Sequence, residues 1–189
     1  LLQTGYTPME ILQACEQGTR VVGERYEQGE YYLSALIMAG EIFHQVVALI
    51  QPYLNHADVP DVSGKILLGT VQGDIHDIGK NMFGMFLKST GFEVEDLGVD
   101  VTPARFVERA QASQPDVIGL SGLLTTSFDS MLETVKLLRA ALVAPMPRVV
   151  IGGGMINAHV CRYVGADYWS TDAIEGIRIC QRIVQEGSR

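Results

Sequence analysis

From Lys65 onward the chain alternates short apolar runs with amphipathic stretches, and this alternation constrains the fold more than any other feature. Lys65-Ile66-Leu67-Leu68-Gly69-Thr70-Val71 is a run of the fully buried strand type. A helix is predicted near Lys80 to Ser89, then a strand around Glu93 to Leu97. Thr102-Pro103 has the form of a helix start, and Asp116 to Ser121 reads as a third strand. A helix near Ser127 to Leu142, a strand at Arg148 to Ile151, a helix from about Asn157, a short strand at Asp167 to Trp169 and a helix from Asp172 complete the series. Strands alternating with helices imply an α/β domain of flavodoxin-like (Rossmann-type) form, with a five-stranded parallel sheet and helices on both faces.

The residues before this region read differently. Thr7-Pro8-Met9-Glu10 has the capping-box pattern, with Ile11, Leu12 and Cys15 as an apolar face. Gly18 and Gly29 are expected to punctuate, with a short helical stretch around Val21, Val22 and Tyr26 between them. Tyr31 to Leu54 is long and strongly apolar, and the spacing of Leu33, Leu36, Ile37, Gly40, Phe43, Val47 and Ile50 predicts a buried bundle helix. The opening helix looks short for a bundle, so the chain is expected to begin part-way into this domain. The stretch Asn55 to Gly64, with Pro60, is linker-like. The expected organisation is a helical cap over residues 1–58, a linker at 59–64 and the α/β domain at 65–189.

Composition narrows the function classes. A formal net charge of -8 argues against nucleic acid or an anionic membrane as partner. No run of about 18 or more uncharged apolar residues is present, so no span is expected. Cys15, Cys161 and Cys180 are too few and too scattered for a disulfide framework or a zinc site, which fits a reducing, cytoplasmic setting.

In open α/β sheets ligands bind outside the carboxyl ends of the strands, where the strand order reverses. Three loops are expected there. Gly73-Asp74-Ile75-His76-Asp77-Ile78-Gly79 follows the first strand, Ser121-Gly122-Leu123-Leu124-Thr125-Thr126-Ser127 the third, and Gly152-Gly153-Gly154 the fourth. The first places an imidazole between carboxylates, so that a carboxylate accepts the hydrogen of one ring nitrogen and leaves the other free to coordinate.

Competing readings fail on spacing or chemistry. A Walker loop has four residues between its glycines and a hydroxyl residue after its lysine, whereas here the glycines are too far apart and Asn81 follows Lys80. Asp74 and Asp77 would also repel phosphates. Gly152 and Gly154 lack the third glycine of a dinucleotide fingerprint, with Asn157 in its place, and Ser121 stands where a phospho-acceptor aspartate would be needed. A simple divalent site at Asp74, His76 and Asp77 has no second cluster, because His44, His56 and His159 lie in other elements. Singly, each loop has an ordinary explanation, but together at one sheet edge they indicate a ligand site.

Asp74-x-His76-x-x-Gly79, Ser121-x-Leu123 and Gly152-Gly153 resemble, in order and spacing, the three-part signature of cobalamin-binding domains of the base-off, histidine-on class. The preceding helices, especially Glu30-Tyr31-Tyr32-Leu33, are similar to the helical cap of corrinoid methyl carriers and of the cobalamin module of methionine synthase. The resemblance implies that His76 replaces the cofactor's own base as lower axial ligand to cobalt. Asp74 would hold the His76 ring, and Ser121 would extend that hydrogen-bond network. The nucleotide tail would run past Gly79, Leu123, Thr125, Gly152 and Gly153, with Gly73, Ile75, Asp77, Ile78, Thr126 and Gly154 completing the loops around it. Tyr32 would shield the upper face of the corrin. A proton taken up by His76 through Asp74 and Ser121 would accompany loss of the axial bond on reduction.

The function implied by this resemblance is that of a corrinoid carrier, which accepts a methyl group from a substrate-specific methyltransferase and passes it to a second methyltransferase acting on folate or a carrier thiol. A reductive activation protein would be a further partner. A cobalamin-dependent sensor and the cobalamin domain of an isomerase are the alternatives. Donor choice would lie in the partner enzyme, so the sequence does not name the donor.

Overall fold

The computed structural model describes residues 5–53, 64–142 and 144–187, and the chain divides into two units, Leu1–Ala57 and Asp58–Arg189. Of the expected linker at 59–64, all but Gly64 lies outside the described residues.

In the first unit, α1 (Pro8–Glu27) begins at the predicted capping box: the Thr7 side chain accepts from the Glu10 N–H, and the Glu10 carboxylate accepts from the Thr7 N–H. The expected break at Gly18 is absent, and α1 runs through it and through Gly23. An interior glycine costs a helix roughly 1 kcal/mol, which packing against a neighbouring helix readily offsets. Gly23 lies against that neighbour, since a Cβ built on it would meet Leu36 Cδ1 at 4.0 Å.

The neighbour, α2 (Leu33–Ile50), is shorter than the expected Tyr31 to Leu54, and among its predicted core positions only Phe43 and Ile50 are buried. Leu33 and Ile37 are exposed, so the predicted buried bundle helix is buried at only part of its apolar positions. Two helices present only one face of α2 to each other, whereas its sequence is apolar nearly all round. By length and mean hydropathy alone α2 is apolar enough to cross a bilayer, but Glu41, bonded to Gln45 Nε2, sits mid-helix where hydrocarbon would penalise it.

The second unit follows the predicted alternation. Its strands are β1 (Lys65–Thr70), β2 (Glu93–Asp96), β3 (Val117–Ser121), β4 (Arg148–Gly152) and β5 (Tyr168–Ser170). They alternate with α3 (Ile78–Ser89), α4 (Pro103–Ser113), α5 (Phe128–Ala141), α6 (Ala158–Val164) and α7 (Ala173–Gly187). The sheet order is β2-β1-β3-β4-β5, and all pairs are parallel. The order reverses between β1 and β3, which puts the crevice of an open α/β sheet beside their carboxyl ends.

Thr102 caps α4 through its side chain, and Asn157 caps α6 by accepting from the His159 and Val160 N–H groups. On one face of the sheet Leu67, Ile118, Leu120, Val149 and Ile151 pack with Phe106, Met131, Val135 and Leu138. Gly69 is a strand residue with a steric purpose: a Cβ there would stand 2.8 Å from Phe106 Cζ. The missing side chain makes room for the ring of α4.

Phe106→Ala should therefore destabilise the domain by about 3–5 kcal/mol in denaturant unfolding. Gly69→Ala should be destabilising in the natural background but nearly neutral in the Phe106→Ala background, a coupling that a double-mutant cycle reads directly.

Candidate cofactor site

β1 opens on the exposed Lys65, is apolar through its middle and ends on Thr70, which is fully buried. Its Oγ1 donates to the His76 carbonyl at 3.0 Å and so ties the far side of the following loop back to the strand. Gly73 turns the chain at φ 84°, with nothing within 4 Å of where its Cβ would be. Asp74 then points inward and is 1 % exposed.

The Asp74 carboxylate is the hub of the site. Its Oδ1 accepts from the His76 N–H at 3.0 Å and lies 2.6 Å from His76 Nδ1. Its Oδ2 accepts from the Leu123 N–H at 2.7 Å and the Leu124 N–H at 3.0 Å, which joins the β1 loop to the β3 loop. Burial alone would push this carboxyl up. The Leu124 and His76 N–H groups, the His76 ring and the Leu123 N–H together outweigh burial and bring it down to about 2. It is therefore ionised at neutral pH and only accepts, so the proton between the pair sits on His76 Nδ1. The lone pair of the neutral ring is then on Nε2, and the ring is half exposed.

Ser121 stands outside these hydrogen bonds among the described residues. It ends β3, its carbonyl accepts from the Val71 N–H, and its hydroxyl has no hydrogen bond to Asp74 among the described residues. Both Asp74 oxygens are already satisfied, by His76 on one side and by the two backbone N–H groups on the other. The buried hydroxyl of the β3 loop is instead Ser127, whose Oγ donates to the Leu124 carbonyl at 2.6 Å and holds the turn that presents the Leu124 N–H. Thr125 and Thr126 lie exposed in that turn.

Gly152 closes β4 opposite Ser121 and Ser170. At Gly153, φ is 142° and a Cβ would fall 2.0 Å from the Gly122 carbonyl oxygen, so the β3 and β4 loops meet backbone to backbone. A Cβ on Gly154 would stand 3.2 Å from Leu123 Cδ1, whereas one on Gly79 would meet nothing within 4 Å. Asp77 precedes α3 and accepts from Asn81 Nδ2, and Ile78 opens the helix. Tyr32 belongs to the other unit, where it is 85 % exposed just before α2.

Sequence patterns alone did not single out Thr70, Ser127, Lys80, Asp96 or Asp100. Thr70 had a signal, a hydroxyl closing an apolar strand. Lys80 had another, a cation in the first turn of a helix, where the dipole disfavours it. Asp100 had none beyond the neighbouring Gly98, because its partner Gly73 is distant in sequence.

The chemistry of this edge suits a large, largely apolar group that needs one nitrogen donor. No cluster of three or more His, Cys, Asp or Glu able to hold a bare metal ion exists among the described residues. The three loops that carry or adjoin His76 also expose the apolar side chains of Ile75, Leu123, Leu124 and Met155. A metal that already carries an equatorial macrocycle needs one such ligand, not four. The fold and the loops thus define a cofactor-binding α/β domain of the flavodoxin-like class.

The chain belongs to the B12 binding domain family, which matches residues 64–178, with a second B12 binding domain match over residues 1–51. A corrinoid protein of Desulfitobacterium hafniense is 34% identical over 170 residues, covering 89% of this chain and 79% of that protein. Trimethylamine corrinoid protein 2 of Methanosarcina acetivorans is 31% identical over 182 residues, 94% of this chain and 84% of its own. The structure of the Methanosarcina barkeri monomethylamine corrinoid protein superposes with a TM-score of 0.88 at 24% identity, over 96% of this chain and 86% of that one.

The Asp74 carboxyl has an ordinary value of 3.8 and a folded value of about 2. A depressed carboxyl stabilises the fold above its unfolded value, and that contribution is lost as the pH falls through the folded one. Stability should decline between about pH 4 and pH 2 by on the order of 2 kcal/mol from this group. In Asp74→Asn that part of the acid transition should disappear, while stability at neutral pH drops by about 2–4 kcal/mol because buried N–H donors then face an amide. Acid titration of unfolding free energy in both proteins checks this.

Proposed function

We propose that the chain is the corrinoid methyl carrier of a methyltransferase system and holds cobalamin base-off, with His76 as lower axial ligand. The observation that carries this reading is the Asp74–His76 pair, 2.6 Å apart, which fixes the proton on Nδ1 and leaves Nε2 to coordinate. Bound cobalamin supplies a cobalt centre able to accept a methyl group and give it up. The protein's own residues select its coordination. Asp74 stays ionised, keeps the ring in one tautomer and orientation, and raises its basicity as a ligand.

Cobalamin binding follows from family membership, and the corrinoid names of its relatives support a methyltransferase setting. Beyond that, a substrate-specific methyltransferase supplies the methyl group, and a second methyltransferase passes it to folate or a carrier thiol. A reductive activation protein restores the cofactor after adventitious oxidation, and the setting is cytoplasmic. The dimethylamine name of a further relative makes methylamines the first donors to try. The nucleotide tail lies over Gly79, Gly152 and Gly153, along Leu123, Thr125 and Thr126, where glycine side-chain space is free or backbones meet closely. Ser121 is assigned a place at the end of β3, beside the tail.

In protein loaded with cobalamin, His76→Gly should change the visible spectrum to that of a corrinoid lacking the histidine nitrogen. Methyl transfer from a matched donor methyltransferase should slow by roughly tenfold or more. An unchanged spectrum and rate would remove His76 from the metal. Pairwise assays with methylamine, methanol and aryl ether methyltransferases then assign the donor, and failure with all of them would reject the carrier role.

A further inference from the structure

The loop that carries His76 is held not only by Asp74 but also by the segment after β2, which grips it on both sides of the histidine. On the near side, the Asp100 N–H donates to the Asp74 carbonyl at 3.0 Å, and Asp100 Oδ1 accepts from the Gly73 N–H at 2.8 Å. Asp100 does this from a left-handed backbone at φ 52°, a conformation that disfavours side chains in general and that Asp and Asn tolerate best. On the far side, Lys80 in the first turn of α3 is 4 % exposed. Its Nζ donates to Asp96 Oδ2 at 2.5 Å and to Asn81 Oδ1 at 2.7 Å.

A buried ammonium at a helix N-terminus works against both desolvation and the helix dipole, and the Asp96 carboxylate, with the Asn81 amide oxygen, makes it tolerable. Asp96 is itself fixed, since its other oxygen accepts from the Gly98 N–H at 2.9 Å. The segment between the two anchors is sewn to β1: the Thr70 N–H donates to the Gly98 carbonyl, the Val101 N–H donates to the Thr70 carbonyl, and Val71 bridges Val101. Two disfavoured features, a left-handed aspartate and a buried lysine, thus converge on the two ends of one short loop. Neither touches the imidazole.

We infer that Asp100 and the Lys80–Asp96 pair are positioning residues that brace the His76 loop, so that the Asp74–His76 pair presents Nε2 at one fixed height and angle. The inference rests on the axial-ligand reading of His76. Loss of the Asp100 anchor frees the Asp74 main chain to turn, and the ring turns with it. Loss of the Lys80 anchor lets the first turn of α3 lift from the end of β2.

The test uses the full chain loaded with cobalamin and reduced to the cobalt(II) form. With the histidines labelled with the heavier nitrogen isotope, a change in the nitrogen splitting of its electron paramagnetic resonance spectrum reports whether histidine, rather than the cofactor's own base, is coordinated. Asp100→Gly removes the carboxylate while relieving the backbone strain, so the unfolding midpoint of the cofactor-free protein should be unchanged or slightly raised. The ratio of histidine-coordinated to uncoordinated cobalt should nevertheless fall by roughly tenfold. Asp100→Asn, which keeps an accepting oxygen and the same backbone tolerance, should stay within about twofold of the wild type, far short of the loss on removing an outer partner.

Equal coordination in Asp100→Gly and wild type would overturn the brace, and so would an equal loss in Asp100→Asn and Asp100→Gly. Should Asp100→Gly fail to fold, Asp96→Asn carries the comparison at the other anchor: a loss of coordination supports the brace, and full coordination overturns it. Absence of that isotope-dependent change in the wild type would instead overturn the axial role of His76 itself.

Discussion

A carboxylate sealed from solvent loses most of its hydration, and on the order of several kcal/mol must be returned by donors pointed at it. At Asp74 those donors come from two different loops. Oδ1 takes the main chain and ring of His76, and Oδ2 takes the N–H groups of Leu123 and Leu124. The β1 and β3 loops cannot separate without stranding this charge, so one buried anion sets the shape of the sheet edge. It also sets the tautomer of the imidazole. Fold stability and site chemistry depend on the same four hydrogen bonds.

Around this hub, each neighbouring loop is tied by a means suited to its place. The β3 turn is closed by the Ser127 hydroxyl on the Leu124 carbonyl. The β4 loop reaches it by direct backbone contact, which the absence of a Cβ at Gly153 permits. Thr70 pulls the His76 carbonyl toward β1, and Asp100 and Asp96 hold the loop from the β2 side. Polar groups at this edge are thus spent on one another. What remains outward is the half-exposed His76 ring, with the exposed apolar side chains of Ile75, Leu123, Leu124 and Met155 and the hydroxyls of Thr125 and Thr126 on the same loops. That pattern suits a broad apolar face with one metal valence to fill, and it suits a phosphate or a hydrated ion poorly.

Much of this was legible in the chain. The apolar runs at Ile66–Val71 and Val117–Leu120 announced buried parallel strands because both faces of such strands are covered. Thr7, Thr102 and Asn157 announced helix starts because a cap is satisfied within a few residues of itself. The His76–Asp74 pair was visible for the same reason, lying two positions apart on one turn. Where expectation and structure part, a longer range decided. Gly18 was expected to punctuate the first helix, yet α1 runs through it from the Thr7 capping box to Glu27. The apolar positions of α2 were expected to be buried, but periodicity reports which faces want cover and not which faces find it. Ser121 was expected to extend the Asp74–His76 network, and among the described residues no hydrogen bond joins it to Asp74, whose second oxygen is taken by the Leu123 and Leu124 N–H groups.

By itself, then, the sequence determined the order of elements, the parallel sheet and the pairing of His76 with Asp74, since each follows from local periodicity, capping or near-neighbour hydrogen bonding. Only the tertiary structure decided how the Asp74 charge is satisfied and what braces the loop around it. Asp74 meets Leu123 and Leu124, Gly73 meets Asp100, and Lys80 meets Asp96 across separate elements. Such pairings depend on strand order and register, which place distant residues side by side through backbone geometry that no local pattern encodes.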